Sequence, residues 1–398
     1  MQNFLRFKQR DTNKHMIELF RNIIRKFRKS LFEYEPLVRI KIQERALLHN
    51  FEIFSKLNKD IKIAPVLKSN AYGHGLTLIG RVLDDQEAPF FVVDSYYEAL
   101  ILKNEKTKTP LLVIGYTFPQ NIITNNKKDI VFTLSTINQI KEIAKLLERP
   151  QKFHIKIDTG MNRQGIKPEQ LSEVITLLSL NKNIYLDGVC SHLADADGLD
   201  SKQTDNQRTV WNEMVKILKD AFSKISYFHI GATAGTFYEG FNNANVARVG
   251  LGLYGIDSSN QRTVNLSPAL SMESVVVGLK SIKKGDRAGY NGTFEAIKDM
   301  NIAIVPVGYF EGVDRRLSNV GMFTIRGCEC PIVGRVSMNM TIIDVSSIPD
   351  LKEGETVCVI SNNTNEKNSV SYIAKQCATI PYDILVRIPE RLRREIIH

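Results

Sequence analysis

A chain of 398 residues, 43% hydrophobic and 24% charged, has the composition of a globular protein and the length for a large barrel plus a second domain. Its net charge of +10 could suggest nucleic acid, yet nine Lys/Arg against four Asp/Glu in residues 1–35 carry half of it. The remainder has neither a basic stripe interleaved with aromatics nor zinc-finger spacing, so no nucleic-acid partner is expected.

The five cysteines, Cys190, Cys328, Cys330, Cys358 and Cys377, are odd in number and lack CxxC spacing. That pattern argues against a disulfide framework and a structural metal site, and no metal is expected. No apolar run approaches the roughly 20 residues of a membrane span. The start has no apolar signal-peptide core, which points to a cytoplasmic location.

Residues 1–35 form a first segment. Met16, Ile17, Leu19, Phe20, Ile23, Ile24, Phe27 and Leu31 recur at helical spacing, with Arg21, Arg25, Lys26, Arg28 and Lys29 between them. This predicts a basic amphipathic helix. Its stripe suits packing on the body of the protein; the alternative is contact with an anionic membrane surface.

Residues 36–265 read as an α/β unit. Short apolar runs rich in β-formers appear at IKIAPVLK (61–68), FFVVDS (90–95), LLVIGY (111–116) and IVFTLS (130–135). Four more follow at FHIKID (153–158), LDGVCSH (186–192), YFHIGA (227–232) and NVARVGL (245–251). Helical patterns such as LSEVITLLSL (171–180) and VWNEMVKILKDAF (210–222) separate most of them. Continuous apolar runs suit parallel strands buried on both faces. Eight of them alternating with helices predict a (β/α)8 TIM barrel, with a doubly wound sheet as the alternative.

Residues 266–398 change character. ESVVVGLKSIKKGD, MNIAIVPVGY, GMFTIRGCECPIVG, MTIIDV and ETVCVISN read as strands with Gly turns, and only SYIAKQCA (371–378) reads as helix. A C-terminal, mostly β domain is predicted.

The strongest local signal is VLKSNAYGHG (66–75), a lysine at a strand end before a Gly-rich turn. An isolated lysine there would usually be a surface residue. The string, however, resembles the cofactor-lysine motif of the alanine racemase family. The resemblance continues in order through KIDTGMNRQGI (156–166), VCSHLADAD (189–197), HIGATAG (229–235) and ARVGLGLYGI (247–256). It extends to GYNGTF (289–294), VPVGYFEG (305–312), GRVSMNM (334–340) and TIPYDIL (379–385), covering residues 36–398. The barrel residues among these sit near predicted strand ends, where parallel barrels build their sites.

The resemblance implies pyridoxal 5′-phosphate carried on Lys68, whose freed amine serves as one base for the α-proton. Tyr72 would bond the phosphate. Tyr290 matches the second base, reaching the opposite face from the other subunit of a homodimer. The base form of a phenol needs a cationic or hydrogen-bonding neighbour, and His192 is a candidate. Arg248 matches the arginine facing the cofactor ring nitrogen. It cannot readily give up a proton, which weakens the electron sink and discourages side reactions. His229 would hold Arg248.

GLGLYG (250–255) is a formal GxGxxG, but the segment after it reads as a loop, not the helix of a dinucleotide site. By the resemblance, the amides of Gly250 and Leu251 hold the phosphate, with the hydroxyls of Thr233 and Tyr382. Lys156 and Arg163 would both face the cofactor's phenolic oxygen and the substrate carboxylate. Two cations there would repel, a problem that carbamylation of Lys156 would solve; the alternative is a bare lysine paired with Asp158 or a bound anion.

Met338 would offer its backbone amide to the carboxylate, and Tyr309 and Tyr382 would crowd the substrate methyl. Two departures stand out. Ala232-Thr233 replaces a common Asn-Ser, and Ser337-Met338-Asn339 replaces a common Cys-Met-Asp, so Asn339 removes a negative charge. The implied reaction is the interconversion of L- and D-alanine, supplying D-alanine for peptidoglycan. Alternatives are a racemase for serine or for a broader set of amino acids, a non-enzymatic cofactor carrier, or a membrane-surface protein on a degenerate barrel.

Overall fold

The computed structural model describes residues 34–198, 200–257 and 264–398. The basic helix expected in residues 1–35 lies outside the described residues but for its last two positions.

Strand β1 (Arg39–Gln43) is followed by the helix Glu44–Leu57 and then by eight parallel strands. These are β2 (Lys62–Pro65), β3 (Phe91–Val93), β4 (Leu111–Val113), β5 (Ile130–Leu134), β6 (Gln151–Lys156), β7 (Ile184–Cys190), β8 (Tyr227–His229) and β9 (Val246–Val249). All eight apolar runs are strands. β3 to β8 pair in sequence order and β2 pairs with β9. Two seams close the ring. Leu67 N donates to Val92 O at 2.8 Å, while Asn245 N donates to Phe228 O and Arg248 N to Gly231 O, both at 3.0 Å. A closed barrel therefore replaces the doubly wound alternative.

The strands read as continuous apolar runs because both faces are covered: Phe91, Val92, Val93, Leu111, Leu112 and Val113 are all fully buried. Local rules set the helices between them. Ser95 and Glu98 form a reciprocal capping box on the helix Tyr96–Asn104, and Thr136 caps Ile137–Leu146.

The C-terminal half is built from β10 (Leu270–Val275), β11 (Gly278–Ile282), β12 (Arg287–Ala288), β13 (Phe294–Glu295), β14 (Met300–Val305) and β15 (Met322–Ile325). β16 (Cys328–Pro331), β17 (Thr341–Asp344), β18 (Thr356–Ile360) and β19 (Arg393–Ile397) complete it. Its largest sheet runs β16-β15-β18-β10-β1-β19. β1, although it precedes the barrel, thus pairs antiparallel with β10 and parallel with β19.

The apolar run ESVVVGLKSI is two strands rather than one, since β10 and β11 belong to different sheets. A second helix, Pro381–Val386, joins Val370–Gln376, opened by a proline whose fixed φ suits a first helical position. No described helix is long and apolar enough to cross a membrane.

Candidate active site

The chain leaves β2 and enters a turn that carries Lys68. Ser69, Asn70, Ala71 and Tyr72 follow with φ between 52° and 56°, four successive non-glycine residues in the left-handed region. Each costs about 1–2 kcal/mol, so the surroundings must hold them there. Ser69 N donates to Glu98 Oε1 at 2.7 Å, and Leu76 N donates to Asn70 Oδ1 at 2.8 Å. His74 Nδ1 lies 3.0 Å from the carbonyls of both Ala71 and Tyr72, and Arg394 Nε donates to Gly73 O at 2.7 Å.

Gly73, at φ +80°, has no room for a side chain: a Cβ would stand 2.2 Å from Leu385 O. The turn therefore seats directly on the helix Pro381–Val386. That contact brings Tyr382 to Tyr72, with ring centroids 5.6 Å apart.

The buried Tyr72 phenol faces the loop after β9. A Cβ on Gly250 would sit 2.6 Å from Tyr72 Oη, so only glycine leaves this approach open. Thr233 Oγ1 accepts from Gly250 N at 3.3 Å and Gly252 N at 3.2 Å. Burial, then the neighbouring Tyr382, pushes the Tyr72 phenol well up, which keeps it a neutral donor. GLGLYG continues into a short 3-10 turn, Leu251–Tyr254, whose buried Tyr254 hydroxyl donates to Val66 O at 2.9 Å. It is not the start of a dinucleotide-binding helix.

Arg248 lies buried in β9, and each of its hydrogen-bond partners is a carbonyl or an imidazole. Its Nη1 donates to His229 Nδ1 at 2.6 Å and His229 O at 2.7 Å. Nη2 donates to Ser191 O at 2.7 Å and Ile230 O at 3.2 Å, and lies 3.3 Å from His192 Nδ1. A guanidinium can only donate, so His229 Nδ1 carries the lone pair and its proton sits on Nε2. His229 Nε2 then donates to His154 Nδ1 at 2.8 Å.

This second histidine was not singled out from the sequence. It is on β6, two strands from His229, and its ring crosses the intervening β7 at Gly188. A Cβ there would meet the ring at 2.6 Å. Burial drives His154 down to about 3 and His229 well below its usual value, so both imidazoles are neutral.

Around His192 the charge is one-sided. Burial, then Arg248, Lys156, Arg163 and Lys68, pushes His192 down to about 3. The structure thus gathers the four predicted cations around one imidazole. Lys156 donates to Gln164 Oε1 at 3.2 Å, and burial, reinforced by the other cations, lowers its ammonium. Asp158 is not its partner; that carboxylate accepts from the amides of Gly160 and Asn162. Arg163 is exposed and has no polar partner among the described residues.

The remaining predicted residues lie elsewhere. Tyr290, Tyr309 and Met338 line a cavity of about 760 Å³ whose walls all come from Tyr290 onward, and Lys68 is not among them. Tyr290 is 67% exposed. The backbone N–H of Met338 takes no hydrogen-bond partner among the described residues. Asn339 is not part of the cavity lining; its Nδ2 donates to the buried Glu311 at 3.0 Å.

Family models match both halves: "Alanine racemase, N-terminal domain" over residues 42–258 and "Alanine racemase, C-terminal domain" over 269–396. The chain belongs to the alanine racemase family. The alanine racemase of Methanococcus maripaludis is 32% identical over 366 residues, which span 90% of this chain and 98% of the relative. The alanine racemase of Bacillus anthracis, solved with bound L-Ala-P, superposes with a TM-score of 0.84 at 28% identity, over 92% of this chain and 96% of that one. A histidine racemase from Leuconostoc mesenteroides superposes with a TM-score of 0.83 at 26% identity, over 92% and 99%. The fold is accordingly the (β/α)8 barrel with a C-terminal β domain.

Proposed function

We propose that this chain interconverts L- and D-alanine with pyridoxal 5′-phosphate carried on Lys68. The observation that carries the reading is the cationic barrel mouth, where Lys68, Lys156, Arg163 and Arg248 gather beside a hydroxyl-and-amide cradle. The donor set fits the cofactor. Tyr72, Thr233 and Tyr382 offer hydroxyls and Leu251 offers its amide to a phosphate, while the Gly250 amide braces Thr233 and its missing side chain leaves the approach open. The cluster of positive charge favours both that phosphate and a substrate carboxylate.

When bound, the cofactor supplies an electron sink for the pair left on the α-carbon. The protein's own groups do the rest. The Lys68 amine takes the proton from one face of the α-carbon and the Tyr290 phenol delivers one to the other; the reverse reaction exchanges their roles. Arg248, held by His229 and His154, keeps a permanent positive charge where the ring nitrogen would lie. Arg163 and the free N–H of Met338 would hold the carboxylate, and Tyr309 would limit the side chain.

Burial and the neighbouring cations disfavour a charged ammonium at Lys156, and a carbamate formed there with carbon dioxide would instead offset Arg163. Because Tyr290 is exposed and its cavity contains no barrel residue, the reading includes a homodimer in which each Tyr290 serves its partner's Lys68. The five unpaired cysteines suit a reducing cytoplasm.

A racemase of broader range is the second reading, favoured by the structural likeness to a histidine racemase. One assay separates the two. The protein is given pyridoxal phosphate and L-alanine, L-serine or L-histidine, and the D-enantiomer is quantified. D-alanine should form fastest; faster D-serine or D-histidine selects the second reading, and no D-product overturns both.

A further inference from the structure

Glu311 belongs to no role assigned above, yet it is a buried carboxylate directly behind Tyr309 and Met338. Its Oε2 accepts from Gly308 N, and its Oε1 accepts from Asn339 Nδ2 and Arg391 Nη2, all at 3.0 Å. One side chain thereby ties together three segments distant in sequence. Arg391 also donates to Phe310 O at 2.8 Å and lies 3.5 Å over the Phe310 ring.

The consequence falls on the Met338 peptide. The turn that Glu311 closes presents Tyr309 N to Ser337 O at 3.1 Å and Phe310 N to Met338 O at 2.9 Å. In a planar trans peptide the C=O and N–H point opposite ways. Holding Ser337 O toward Tyr309 therefore turns Met338 N–H away from the turn, where it remains without a partner among the described residues. Gly308 makes the approach possible, since a Cβ there would stand 2.2 Å from Ser337 O. Asn339, next in sequence, is fixed by Glu311 itself.

We propose that Glu311 is the positioning residue of the substrate-carboxylate subsite, aiming the Met338 amide through the turn that it closes. This rests on the racemase reading. Asn339 fits beside Glu311 as an amide because a carboxylate at both positions would repel, and Arg391 alone would have to answer two charges.

The test uses the full-length protein loaded with pyridoxal phosphate, with KM and kcat for L-alanine measured beside the denaturation midpoint. Glu311→Ala should raise KM about tenfold or more while kcat changes far less. Asn339→Asp should raise KM similarly by setting two carboxylates together. The double variant Glu311→Gln/Asn339→Asp lets the new amide donate to the new carboxylate, and KM should recover to within about threefold of wild type. Propionate, which is alanine without its amine, should follow the same order in binding calorimetry. If Glu311→Ala does not fold, Asn339→Asp and the double variant decide alone. A fall in denaturation midpoint with KM unchanged, or a double variant no better than Asn339→Asp, overturns the proposal. Wild-type protein that makes no D-alanine overturns the racemase reading, and this proposal with it.

Discussion

On the proposed reading the chemistry turns on Lys68, and Lys68→Ala should lower racemisation by about a thousandfold or more, the scale of a lost acid–base group. The variant should also no longer give a borohydride-stable bond to pyridoxal phosphate. A retained bond, detected by mass, would contradict the assignment. The Lys68 turn stood out as a candidate because its whole neighbourhood, VLKSNAYGHG, is contiguous in sequence. His154 did not: its role depends on a cross-barrel bond to His229 and on the missing side chain of Gly188, which no local pattern reveals. Gly188→Ala tests that arrangement. The added methyl must push the His154 ring off His229, costing about 1–3 kcal/mol as overpacking does, and Arg248 loses its backing. The urea midpoint should fall and racemisation should weaken; an unchanged midpoint would mean the ring moves freely.

Elements tell a similar story. The eight barrel strands could be read because burial on both faces makes each a continuous apolar run. Glu98, which holds the left-handed turn, had a readable signal in Ser95-x-x-Glu98, a capping box opening the helix after β3. β1 and β19 were missed, although RIKIQ alternates with period two, because their partner strands are far away in the chain. The helix Pro381–Val386 is only six residues, too short for periodicity to show.

At this scale the barrel's histidines set a pH response. Burial holds His74 at about 4, His154 and His192 at about 3, and His229 well below its usual value. In the unfolded chain they titrate near 6.5. Between those values the unfolded state binds more protons than the native one, so stability falls as pH drops below about 6.5. Each fully buried histidine contributes up to about 1.4 kcal/mol per pH unit, and the half-buried His192 less. Urea midpoints of the cofactor-free protein should decline steadily from pH 7 to 5. A flat or rising trend would mean that these imidazoles are protonated in the native state.

For the whole molecule, the central claim is that two proton carriers from two chains serve one α-carbon. The resemblance proposes both carriers; in the structure Tyr290 is exposed and lines a cavity formed wholly by residues from Tyr290 onward, with none of Lys68, Lys156, Arg163 and Arg248 in its walls. Lys68→Ala and Tyr290→Phe proteins should each be nearly inactive, since every site lacks one base. Denatured together in equal amounts and refolded, half of their dimers would pair one of each by random association. A mixed dimer has one doubly altered site and one intact site, so activity should return to roughly a quarter of wild type per subunit. If both carriers came from the same chain, every site would stay defective. Inactivity in a mixture with demonstrated heterodimers would contradict the account.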